Sequence, residues 1–371
     1  MNRAEISRAK RIVIKIGSSS LTGSAGSQLD TQAVDTLTDI VAEARSRGAE
    51  VCVVSSGAIA AGLAPLGLKV RPKDLATQQA AASVGQGLLM HRYTESFARH
   101  ELTASQVLLT TEDVIHRAHY QNAQRTLDRL LALGVVPVIN ENDTVATQEI
   151  RFGDNDRLAA LVALMIAADL LILISDIDGL YDAPPKEPGA ARISDVASVS
   201  EIDESIIGGI GSAGVGSGGM ITKVEAARIV TGAGIPMLLT SLPQAREAIF
   251  GADLGTFFRA HASRSNSRML WLAHASTPHG RLIVDDGAVT ALLERGVSLL
   301  PAGVTAIEGD FSAGDAVEIS SQSGVVIARG LVAFDASEIP MMMGRSTKDL
   351  AKELGPEYER ELVHRDDLVL I

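Results

Sequence analysis

At 371 residues the chain exceeds what one core ordinarily supports, so a large domain and a smaller one are expected. Hydrophobic residues make up 46% and aromatics only 3%, which calls for an aliphatic core of Ala, Val, Leu and Ile with glycine-rich turns, as in an α/β sandwich. The formal charge of −12 repels phosphate backbones and anionic lipid surfaces, so bulk charge favours a small-molecule site.

The residues up to Arg11 include Arg3, Arg8, Lys10 and Arg11, with no apolar run of signal-peptide length behind them. The longest apolar stretch, Leu158 to Leu173, is interrupted by Asp169 and is shorter than the ~20 residues a membrane span needs. A cytoplasmic protein is expected, with the single cysteine, Cys52, reduced and buried in the run Val51 to Val54.

Arg11 to Ile16 predicts a strand, and Thr31 to Arg47 a helix with Val34, Leu37, Ile40, Val41 and Ala44 on one face. Lys15 interrupts that first strand just before Gly17 and three serines. It is either an edge-strand lysine or a cation for a phosphoryl group, which Gly17 would let the backbone approach. A second strand, Glu50 to Val54, runs into Ser55-Ser56-Gly57 and the small residues up to Gly62. These read as a turn with a tightly packed helix, or as hydroxyl and amide donors for a carboxylate.

A long Ala-rich helix from Ala76 to Arg99 follows, then strands at Thr103 to Leu109, Val135 to Ile139 and Leu170 to Ile174. Helices over Ala118 to Leu133 and Asp156 to Ala167 separate them, and this alternation predicts a mainly parallel sheet sandwiched by helices. Val138 to Asp143 and Phe152 to Asp156 form two clusters of acidic and amide residues. Capping by Asp154 or Asn155 explains one residue of these and leaves the rest for a ligand ammonium, an active-site lysine or Mg2+ held indirectly. Ser175 and Asp176 stand at another strand end. The eight histidines have no zinc-like spacing, so no protein-bound transition metal is expected.

Seven glycines fall within the twelve residues from Gly208 to Gly219, ahead of Thr222-Lys223 and a helix over Ile221 to Gly232. Gly209, Gly211 and Gly214 match a dinucleotide fingerprint in form, but no strand leads into them. A nucleotide-phosphate lid is the better reading. A strand at Pro236 to Thr240 and a helix at Pro243 to Phe250 complete a catalytic domain over residues 1–260. Residues 261–280 read as a linker, and short strands with glycine turns over 281–371 predict a small β-rich barrel.

Together the segments IVIKIGSSSLTG, VSSGAIAAG, PVINENDTVAT, FGDNDRLAALVA, SDIDGLYDA and GSGGMITKVEAA resemble the glutamate 5-kinase branch of the amino acid kinase family. The stretches LIVDDGAVTALLERGVSLLPAGV and FSAGDAVEI are similar to the PUA domain that often follows it. The resemblance implies transfer of the ATP γ-phosphoryl group to the γ-carboxylate of L-glutamate, the first step of proline biosynthesis. It places Lys15 and Lys223 beside the transferring group, with Asp156 orienting both. Ser56, Asp143 and Asn155 would bind glutamate. Gly17, Ser175 and Asp176, with Ser217, Gly218, Gly219, Met220, Ile221 and Thr222, would bind ATP, Mg2+ arriving mainly on its phosphates. Ile221 stands where a small polar residue is expected.

A homo-oligomer (dimer or tetramer), proline as feedback inhibitor and glutamate 5-semialdehyde dehydrogenase as partner are further implications of the resemblance. Other readings are a different amino acid kinase and an RNA-binding PUA protein. Residues 281–371 hold 8 Lys plus Arg against 16 Asp plus Glu, a charge of about −8 that suits RNA poorly.

Overall fold

The computed structural model describes residues 2–22, 28–110, 113–114, 117–145, 155–185, 187–202, 219–260 and 278–371, in two compact units. The strands of the first unit are β1 (Arg11–Ile16), β2 (Glu50–Ser55), β3 (Ala104–Leu109), β4 (Val136–Glu141), β5 (Leu170–Ser175), β6 (Leu180–Tyr181), β7 (Arg192–Ile193), β8 (Asp195–Val196), β9 (Met237–Ser241) and β10 (Thr256–Phe258). Its helices are α1 (Ser18–Leu21), α2 (Thr31–Ser46), α3 (Ala58–Leu63), α4 (Leu75–Ala98), α5 (Arg117–Ala132), α6 (Asn155–Met165), α7 (Met220–Gly232) and α8 (Leu242–Ile249).

Eight strands form one sheet in the order β3-β4-β2-β1-β5-β9-β10-β8. The first six run parallel, and β10 turns antiparallel to β9. Residues Ile12 to Ile16, Val51 to Ser55 and Leu170 to Ser175 are buried throughout, as expected of parallel strands covered on both faces. Because the strands are parallel, the chain leaves β1, β2, β4, β5 and β9 at one edge of the sheet, where open α/β sheets bind ligands. β1 lies between β2 and β5, with Lys15 opposite Val54 and Leu173, so the edge-strand reading of Lys15 is excluded.

Gly57 leaves β2 with φ of 105°, a conformation open to glycine. Gly62 and Gly85 serve packing. A Cβ on Gly62 would lie 1.9 Å from the Ala81 carbonyl oxygen, and one on Gly85 would lie 1.8 Å from that of Ala58, so α3 and α4 meet backbone to backbone.

The basic N-terminal residues have a structural use. A 3₁₀ turn over Arg3–Arg8 leads Arg3 to the far edge of the sheet, where its guanidinium donates to the carbonyls of Ala252 (3.3 Å), Leu254 (2.7 Å), Gly255 (3.1 Å) and Ser194. Arg3→Ala orphans several of these acceptors, so the expected cost is about 2 kcal/mol and a fall in Tm of about 4–8 °C. Calorimetry of the variant tests this, and an unshifted Tm would show that the strap holds nothing.

The second unit has its own core around Leu282, Val317, Ile319, Ala328 and Leu350. Its strands β11 (Gly280–Val284), β12 (Val304–Gly309), β13 (Ala316–Ser321), β14 (Val326–Leu331) and β15 (Leu368–Leu370) pair in the order β12-β11-β13-β14-β15, with helices α9 (Asp286–Arg295) and α10 (Thr347–Leu354). The predicted β-rich small domain is therefore a five-stranded mixed sheet, with β11 and β13 parallel. Among the described residues no helix is long and apolar enough to cross a membrane.

Candidate active site

The centre of the site is a buried carboxylate between two ammonium groups. Lys15 Nζ lies 2.5 Å from Asp156 Oδ1 and Lys223 Nζ lies 3.1 Å from Oδ2, with all three residues at most 6% exposed. Thr222 Oγ1 also donates to Oδ2 at 3.0 Å. Each residue arrives from a different element: Lys15 from β1, Asp156 from the first turn of α6, and Thr222 with Lys223 from the first turn of α7. Helices α6 and α7 pack together, and α6 is buried almost all round because its interior is Leu, Ala, Val and Met. Two ammonium groups share one carboxylate, which leaves one formal positive charge in a low-dielectric pocket, an arrangement that attracts anions.

One residue earlier, Asn155 begins a second cluster. Its Nδ2 lies within 3.0 Å of the Ser55 carbonyl oxygen, Ser56 Oγ and Asn140 Oδ1. Asn155 thus joins the ends of β2 and β4 to α6 and spends its amide across the site, so capping is not its use. Its Oδ1 has no partner among the described residues and remains available as an acceptor. Behind it, Asn140 Nδ2 donates to Gln86 Oε1 at 2.8 Å, and Ser55 Oγ shares a 2.9 Å hydrogen bond with the Tyr93 hydroxyl. Burial pushes the Tyr93 phenol well up, so it stays protonated beside Ser55.

Asp143 stands half-buried two residues beyond β4, at the same sheet edge. At the end of β5, Ser175 Oγ donates to Asp176 Oδ1 at 2.9 Å. The Gly17 amide donates to the Ile174 carbonyl at 3.2 Å and ties the end of β1 to β5. These ends border a cavity of about 700 Å³ walled by Ser19, Ser20, Asp30, Asp176, Asp178 and Tyr181, among others. No Lys or Arg lines it among the described residues. The Tyr181 hydroxyl donates to Asp178 Oδ1 at 3.0 Å, which raises the Tyr181 pKa.

Gly219 caps α7 in an extended conformation, Met220 is buried and Ile221 is 53% exposed. Ser217, Gly218, Phe152 to Asp154 and His116 lie outside the described residues. Cys52 is fully buried as expected, and burial pushes its thiol up, so it is inert. Asn140 belongs to the cluster from Val138 to Asp143 that the sequence marks as a candidate site, and its place here is behind Asn155. Sequence reasoning assigned no role to Gln86 or Tyr93, which nothing marked within a long helix.

A family model described as the amino acid kinase family matches residues 10–241, and one described as the PUA domain matches residues 280–354. The chain belongs to the amino acid kinase family. It is 61% identical over 370 residues to a curated glutamate 5-kinase of Streptomyces avermitilis, covering 100% of this chain and 98% of that one. A glutamate 5-kinase of Thermobifida fusca is 58% identical over 370 residues, covering 100% of this chain and 95% of that one. Among solved structures, a Giardia lamblia carbamate kinase bound to AMP-PNP aligns with a TM-score of 0.51 at 17% identity, covering 69% of this chain and 100% of that chain. That likeness concerns the fold of this kinase.

Proposed function

We propose that this kinase transfers the γ-phosphoryl group of ATP to the γ-carboxylate of L-glutamate, giving L-glutamyl 5-phosphate for proline biosynthesis. The observation that carries the reading is the buried Lys15–Asp156–Lys223 centre, in a chain that matches curated glutamate 5-kinases over its full length. A glutamate side chain, with a reference pKa of about 4.3, is ionised at neutral pH, so attack on the phosphorus needs no general base. The obstacle is bringing one anion to another, and two lysines held by one aspartate supply positive charge and position.

In this reading Lys15 and Lys223 flank the transferring group and Asp156 keeps both aimed. Asn155, Ser56 and Asp143 hold glutamate, the Asn155 Oδ1 accepting from its ammonium group. The cavity beside Ser175 and Asp176, which no Lys or Arg lines among the described residues, suits the uncharged nucleoside part of ATP, while Gly17 and the Gly219 to Lys223 turn, with Ser217 and Gly218 before it, take the phosphates. Mg2+ arrives on those phosphates. Asp156 does not suit it, since its oxygens already serve Lys15, Lys223 and Thr222, and among the described residues no three His, Cys, Asp or Glu side chains cluster to hold a metal.

An assay of ATP consumption over a panel of amino acids, with hydroxylamine to trap acyl phosphate, tests the reading. Glutamate-dependent hydroxamate is expected, and turnover with another acceptor but not glutamate would replace the substrate. The same proposal includes a cytoplasmic homo-oligomer, proline as a competitor at the glutamate site, and hand-over of the labile mixed anhydride to glutamate 5-semialdehyde dehydrogenase. Proline titration at low glutamate should slow turnover.

The proposed boundaries place catalysis within residues 1–260, with 261–280 a linker and 281–371 serving assembly or regulation. Since Lys15, Asp156 and Lys223 all precede residue 260, a chain ending at Ser276 should keep glutamate-dependent turnover. A folded but inert truncated chain would assign the second unit a part in catalysis.

A further inference from the structure

A second cavity, of about 340 Å³, lies at the opposite edge of the sheet from the lysine centre. It is bounded by the 3₁₀ turn ending at Arg8, the start of β1, and the C-terminal ends of α2 and α8. Its floor is apolar, from Ile6, Ile12, Ala49 and Ile249, all at most 6% exposed. Its walls also carry three cations, Arg8, Lys10 and Arg47, in a chain whose formal charge is −12.

The charge at this cavity is compensated only in part. Among the described residues the side chains of Arg8 and Lys10 have no carboxylate partner. Arg47 lies 3.6 Å over the Phe250 ring and pairs with Glu43 at 2.6 Å, but Glu43 also answers Arg246 at 2.8 Å. The nearby Asp169 carboxylate accepts the backbone N–H groups of Lys10 and Arg11, and Glu50 pairs with Arg11. Helix C-termini ordinarily repel anions, yet part of the terminal carbonyls here is already bonded: Ala44 O accepts from the N–H groups of Arg47 and Ala49, and Glu247 O from those of Phe250 and Ala252.

We propose that this cavity binds a small organic carboxylate with a compact apolar body. The volume falls at the small end of the roughly 300–1,000 Å³ range of ligand pockets, which admits a ring or short chain and excludes a folded segment. The apolar floor takes the body, and Arg8, Lys10 and Arg47 take the carboxylate at the mouth. A phosphate dianion fits less well, since half of its hydration shell would face aliphatic carbons. None of these residues belongs to the phosphoryl-transfer centre, so the proposal stands whatever acceptor that centre uses.

The test is calorimetric titration of the full chain with 1-naphthoate and with its neutral counterpart, 1-naphthalenemethanol. One saturable site for the carboxylate is expected, with the alcohol about tenfold weaker, as two to three solvent-facing charge contacts imply. The double variant Arg8→Gln/Lys10→Gln changes only exposed side chains and should weaken naphthoate about tenfold while ATP turnover stays as in the parent. Unchanged affinity in that variant, displacement of naphthoate by MgATP, or no saturable binding below about 10 mM would each overturn the site.

Discussion

Lys223→Ala should lower kcat by about 10²–10³-fold while leaving the protein folded, because the lost ammonium group acts on charge developing in the transition state. Asp156 keeps Lys15 at 2.5 Å and the Thr222 hydroxyl at 3.0 Å, so its carboxylate is not stranded. Lys15→Ala should reduce kcat at least as far, and it also opens a void in the middle strand, so its Tm should fall further. Steady-state kinetics beside thermal melts separate the two effects. Near-parental turnover in either variant would remove that lysine from the charge-stabilising role, whatever the melting point.

Asn155→Ala is expected to raise the KM for glutamate by about 100-fold with little change in that for ATP, since a site built to hydrogen-bond its ligand discriminates steeply when a partner is lost. A stability cost of about 1–3 kcal/mol should accompany it, because Asn155 Nδ2 serves the Ser55 carbonyl and Asn140 Oδ1 inside the fold. Asp143, whose carboxylate sits beyond the end of β4, should show the KM effect with less of the stability cost. A KM change confined to ATP would move both residues out of the glutamate site.

Much of this was legible in the sequence because the parallel strands are short aliphatic runs and their ends are marked by Gly, Ser, Asn and Asp. The predicted strand from Arg11 to Ile16 matches β1, and the helix from Thr31 to Arg47 differs from α2 by one residue. Short elements were missed for want of periods: α1 has four residues, and β6, β7 and β8 two each. The antiparallel turn of β10 against β9 depends on pairing between distant segments, which no local pattern carries.

The site was legible in its charged members and opaque in its supports. Lys15 drew attention because a lysine in an apolar strand needs an anionic partner, but only the sheet order shows it to be central. Gln86 and Tyr93 gave no signal, since a glutamine and a tyrosine on a long helix are ordinary until something packs against them. Gly62 resolves the other way: its smallness serves the contact with Ala81 and not a ligand.

The strand pairings around Lys15 make the two lysines mechanically unequal. Its backbone is laced into ladders on both sides, to Val54 and to Leu173, so displacing it means unzipping the middle of the sheet. Lys223 rides on the first turn of a helix that packs on α6, and packed helices slide at far lower cost than a strand ladder opens. In the proposed reaction, adjustment to a shrinking distance between nucleotide and acceptor is therefore expected to fall to α7, with β1 as the fixed reference. In the proposed reaction the centre is expected to behave as a stationary electrode faced by a movable one.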